Sequence, residues 1–110
     1  MHTVVIKREI YEEHPWVAQS MFKAFSEAKR ICRNRLSKSS FLAYTLPWTR
    51  AEYQYTVDLM GDDFWPYGLA ANRITLDAMT RYSFEQGLSN RKFSPEELFA
   101  ANTLEQKDYQ

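Results

Sequence analysis

An imidazole placed directly before a β-branched apolar run can do chemistry. His2 precedes Thr3, Val4, Val5 and Ile6, and in α/β proteins the ends of buried strands are where ligands are met. A second cluster puts aromatic surface, an amide and a guanidinium within nine residues, as Trp65, Tyr67, Asn72 and Arg73. Those groups suit an aromatic carboxylate, which takes a ring to stack on and a planar donor fork. A packed loop followed by a helix cap would use the same residues. Lys29, Arg30, Arg33, Arg35 and Lys38 crowd ten positions and would suit an anion. They also occupy the last turns of a helix, where cations complement the dipole, and a solvated basic face is the expectation. Asp62 and Asp63 have no third ligand at useful spacing, so turn chemistry is expected there and no metal. Cys32 lies on an apolar helical stripe with no histidine near it in sequence, and is expected to be a buried, inert thiol.

The elements that must position these groups follow from the pattern. Residues 3–6 read as a short buried strand, apolar on both faces and without a partner in the chain, so pairing with something else is expected. Residues 7–13 form a helical turn or short helix, and His14-Pro15 marks a new start. From Trp16 to Leu36 the residues Val17, Met21, Ala24, Phe25, Ala28, Ile31 and Cys32 recur at helical spacing and define the expected core face. Further helices are expected over residues 39–46, before Pro47, and over 49–60, where Gly61 caps and Tyr53, Val57 and Met60 share a side. Residues 62–68 form an aromatic loop packed against something. Residues 72–86 form a helix with Asn72 as N-cap and Gly87 at its end. Ser94-Pro95-Glu96-Glu97 is a capping box opening a short helix. Residues 105–110 read as a frayed tail. The chain is therefore expected to be mostly α, with about five helices plus one N-terminal strand, and to have no internal boundary between residues 1 and 110.

Composition narrows the function. Fourteen basic residues balance fourteen acidic ones among 110, so the field of a phosphate-backbone binder is missing and nucleic acid is not expected. One cysteine allows no internal disulfide. No apolar run reaches the ~18 residues of a membrane span, and the amino-terminal stretch turns charged too early for a secretory leader. Three glycines and four prolines, against seven tyrosines, seven phenylalanines and three tryptophans, favour long helices with much aromatic surface.

The stretches MHTVVIKREIYEEHPWVAQSMFKAFSEAK, MGDDFWPYGLAANRITLDAMTRYSFEQGL and SPEELFA resemble the C-terminal third of 4,5-dihydroxyphthalate decarboxylases, a branch of the superfamily with the type II periplasmic-binding-protein fold. The resemblance implies a two-lobed α/β protein with a cleft between its lobes, and for this chain the C-terminal third of it. It implies an aromatic carboxy-lyase of phthalate degradation, cytoplasmic and needing no cofactor, with an isolated segment that is inactive. His2 is then the acid or base near the last inter-lobe crossing, with Thr3, Trp65, Tyr67 and Arg73 around a small aromatic carboxylate and Arg73 as its anchor. The implied partners are the N-terminal lobe or another copy pairing with the strand, and a homo-oligomer is compatible. A solute-binding protein or ligand sensor of the ABC-transporter type, periplasmic and without chemistry, is the alternative on the same fold, and an inactive truncated fragment is another.

Overall fold

A computed structural model describes residues 2–38 and 44–108. They hold four α-helices, α1 (Arg8–Glu13), α2 (Trp16–Ser37), α3 (Thr49–Met60) and α4 (Arg73–Glu85), with 3-10 turns at Ala70–Asn72, Pro95–Leu98 and Ala101–Thr103. α2 is the spine, and α1, α3 and the Ala101–Thr103 turn all pack on it. α4 packs instead on the Pro95–Leu98 turn.

The expected strand is corrected. Residues 3–6 are not in a strand, and the described residues contain no sheet of an α/β fold. Backbone becomes a strand only through a ladder partner, and none of the described residues supplies one: Val4 and Val5 stand 57% and 88% exposed. The count of about five helices is corrected too. The helix expected over 39–46 falls largely on residues 39–43, outside the described residues, while Tyr44, Thr45 and Leu46 are not helical, and the short element at Pro95 is a 3-10 turn.

The helix boundaries follow local chemistry. α1 stops before Pro15, whose ring cannot donate a hydrogen bond, and α2 starts right after it with Val17 N–H bonding the His14 carbonyl at 3.0 Å. α3 ends on Gly61 at φ 87°, whose N–H closes on the Val57 carbonyl at 2.8 Å. The Pro95–Leu98 turn opens on the expected capping box, with the Ser94 N–H donated to the Glu97 carboxylate at 2.7 Å. The Arg91 guanidinium hydrogen bond and then this Ser94 N–H pull the Glu97 carboxyl down to about 2.

α2 is rotated from the expectation. Ala18, Phe22, Ser26, Lys29 and Arg33 turn inward, while of the expected face Met21, Ala24, Phe25, Ala28, Ile31 and Cys32 are exposed and Val17 is half-buried. From 21 to 22, 25 to 26, 28 to 29 and 32 to 33 the two faces differ by one residue, or about 100° around a helix. Cys32 is thus on the surface, not in the core. The inward face was claimed by polar ties to the loop after α3 and to the C-terminal tail, which left the apolar stripe uncovered.

Few apolar side chains are buried: among the described residues only Ala18, Leu76 and Pro95. The radius of gyration is 17.1 Å, against about 13 Å for a compact chain of this length. Polar ties therefore carry much of the tertiary structure. Asn102 is the clearest of them. Its side-chain amide bonds the Pro15 carbonyl at 2.8 Å and accepts from the Tyr11 hydroxyl at 3.4 Å, while its own carbonyl accepts from Gln19 at 3.0 Å. One asparagine thus joins α1, α2 and the tail.

Candidate functional site

Gly61 ends α3 and the chain crosses back over α2 through residues 62–68. Two successive cations of the inward α2 face capture this loop. The Lys29 ammonium donates to the Asp63 carboxylate at 2.7 Å and to the Trp65 carbonyl at 2.9 Å, bonds Asp108, and lies 4.9 Å from the centroid of the Tyr67 ring. One turn on, Arg33 bonds the Asp62 carbonyl and stands 3.8 Å from the Asp63 carboxylate. Phe64 meets Tyr53 of α3 edge to face, with ring centroids 6.0 Å apart. Asn72 closes the loop from the far side, donating to the Pro66 carbonyl at 2.8 Å and the Gly68 carbonyl at 2.9 Å.

These ties change several expectations. Lys29 and Arg33 are not a solvated basic face, since the Lys29 side chain is only 8% exposed. The Asp63 carboxylate is committed to those cations. Asn72 directly precedes α4 but spends its amide on the loop and makes no side-chain cap bond. The tail is not frayed over its described part, because the Asp108 side chain is 6% exposed against Lys29. Burial alone would raise the Asp108 carboxyl, but the Lys29 ammonium, hydrogen-bonded to it, holds the group below the ordinary aspartate value. Gly68, at φ 97°, lets the tail run over the loop: a Cβ there would stand 2.8 Å from the Gln106 carbonyl oxygen.

The sequence-predicted site residues divide into two groups. Trp65 and Tyr67 sit on the pinned loop, Trp65 with its side chain open to solvent and Tyr67 half-buried against Lys29. Arg73 begins α4 directly after Asn72, and its guanidinium is already engaged by Asp77 at 3.1 Å and by Glu96. Those two hydrogen bonds raise the guanidinium further above its ordinary range. His2 and Thr3 lie exposed in the extended lead into α1, and neither enters a hydrogen bond or ion pair among the described residues. The structure brings Trp65, Tyr67 and Arg73 into one loop-and-helix unit and leaves His2 and Thr3 apart from it.

Sequence reasoning missed the cluster of Lys29, Arg33, Asp63 and Asp108. Its signal was the spacing Ala18, Phe22, Ser26, Lys29, Arg33, a helix face as regular as the apolar one beside it. Among the described residues no group of three or more potential ligands converges on a metal position, and no helix is long and apolar enough to cross a membrane.

Over 105 residues, 96% of its length, the chain is 37% identical to the 4,5-dihydroxyphthalate decarboxylase of Comamonas testosteroni. It spans 32% of that relative's length. No family model and no solved structure matches it.

Proposed function

We propose, from the premise that this chain is a decarboxylase-like segment, that it is the C-terminal part of an aromatic carboxy-lyase that releases CO2 from 4,5-dihydroxyphthalate, leaving protocatechuate. The observation that carries the reading is a likeness over 105 residues, 96% of the chain, a span that includes the aromatic loop.

The reaction sets the roles. The hydroxyl para to the departing carboxylate is deprotonated or polarised, the ring carbon bearing that carboxylate takes a proton, and the C–C bond then breaks as CO2 leaves and aromaticity returns. A proton donor near the ring, a base near the hydroxyl and a cation for the retained carboxylate are required. In this reading His2, with Thr3 beside it, transfers the proton, Trp65 and Tyr67 offer ring faces, and Arg73 anchors the carboxylate. Arg73 must then exchange Asp77 or Glu96 for substrate, a swap between exposed ion pairs that costs little. The rest of the protein packs on the uncovered α2 stripe, and the enzyme works in the cytoplasm.

The test is incubation of the full-length protein with 4,5-dihydroxyphthalate while CO2 and protocatechuate are followed. Stoichiometric release of both supports the proposal, and binding without turnover overturns it. A His2→Ala variant that turns over at the parental rate removes the histidine from the mechanism.

A further inference from the structure

The Lys29 ammonium is a single charge that touches four things: the Asp63 carboxylate, the Trp65 carbonyl, the Tyr67 ring and the Asp108 carboxylate. Three of them belong to the loop and the fourth to the tail lying over it. Around this charge sit buried polar atoms without partners, namely Ser26 Oγ, Arg33 Nε and Asp108 Oδ1. Such a group of charges is costly to desolvate, and a well-packed apolar contact would hold a loop as firmly. What an ammonium adds is geometry. Its three donors and the face of the Tyr67 ring fix the height and tilt of the loop backbone at Trp65.

We infer that Lys29 is a positioning residue for the Trp65–Tyr67 pair, setting the aromatic face that the substrate ring meets without touching the substrate itself. This rests on the function proposed above for Trp65 and Tyr67. Without the ammonium, Asp63 and Asp108 face each other across a poorly solvated space with only Arg33 nearby, and mutual repulsion drives loop and tail apart. The Trp65 side chain keeps its identity and loses its place. Binding suffers first, because a displaced ring face weakens ground state and transition state alike.

The experiment compares Lys29→Met, Lys29→Arg and Asp108→Asn with the parent in the full-length protein. It reads KM and kcat for 4,5-dihydroxyphthalate, and amide hydrogen exchange over residues 62–68, 104–108 and α4. The expected result for Lys29→Met is a KM raised about tenfold with kcat within twofold, and exchange rising together in the loop and the tail while α4 stays protected. Lys29→Arg keeps the charge and recovers part of the KM. Asp108→Asn cuts one limb only and gives the same pattern in milder form, which keeps the question decidable if Lys29→Met fails to fold. Parental KM and exchange in Lys29→Met overturn the inference. So does a rise in exchange spread over α4 in both variants, since that marks a general structural role. If the parent does not turn over the compound, the proposed function fails, while the paired exchange of loop and tail still decides whether Lys29 holds the loop.

Discussion

The Lys29 ammonium stands 4.9 Å from the Tyr67 ring centroid while bonded to Asp63 at 2.7 Å, so a residue of the central helix is held between a carboxylate and a π-face of the same seven-residue loop. The loop is tied at its backbone and open at Trp65. That combination, a fixed base and a free ring, is what a stacking surface needs.

Acid should loosen the tail. The Asp108 carboxyl lies below the ordinary aspartate value in the folded chain and returns to that value on unfolding, so its contribution is complete at neutral pH. It fades as the pH falls through the ordinary aspartate range and is gone below the folded value. Thermal unfolding between pH 7 and pH 2 should show this loss, and Asp108→Asn should flatten it. An unchanged acid limb in that variant would mean that another carboxylate governs it.

Two glycines with positive φ should respond unequally to alanine. Gly61, at φ 87°, has open space where a Cβ would go, and Gly61→Ala should cost about 1 kcal/mol from backbone strain alone. Gly68→Ala adds a collision with the Gln106 carbonyl oxygen and should cost visibly more, on the order of 2–3 kcal/mol. Chemical denaturation of both variants gives the comparison, and equal losses would contradict the close passage of tail over loop.

Asn102→Ala removes the amide from the Pro15 carbonyl and the acceptor from the Tyr11 hydroxyl. A loss of about 1–2 kcal/mol is expected, since the Tyr11 hydroxyl stays behind half-buried while the Pro15 carbonyl is open to water. Arg91→Ala breaks an exposed pair with Glu97 and should cost less than about 1 kcal/mol. The order of the two losses, read by urea unfolding, is the prediction.

The apolar stripe of α2 should be nearly silent in the 110-residue chain. Met21 and Phe25 are 36% and 40% exposed, so replacing both by serine should move stability by no more than about 1 kcal/mol. In a full-length protein whose remainder packs on the stripe, as proposed above, the same pair should lower the melting temperature by several degrees. Equal small shifts in both settings would leave the stripe as bare surface.

Local signals were legible in the sequence and partnerships were not. Pro15, Gly61, Gly87 and the Ser94–Glu97 box write helix ends into residue type, and α1 to α4 begin and end within a residue or two of where those residues put them. The face of α2 was misread because its amphipathic pattern names the apolar side, while the side turned inward was decided by Asp63 and Asp108, 34 and 79 residues away from Lys29. Residues 3–6 have the composition of a strand, but a ladder is a property of two segments. Trp65, Tyr67 and Arg73 were found because aromatic and guanidinium groups crowd one short stretch. Lys29 was passed over because a lysine near a helix end usually faces water.

The 79 residues between Lys29 and Asp108 also set an order of events during synthesis. At roughly 5–20 residues per second, the ribosome delivers Asp108 about 4–16 s after Lys29. Asp63 arrives in less than half that time. The nascent chain therefore spends seconds with the ammonium paired to the loop alone and no tail over Gly68, an interval in which the aromatic surface is open to chaperones.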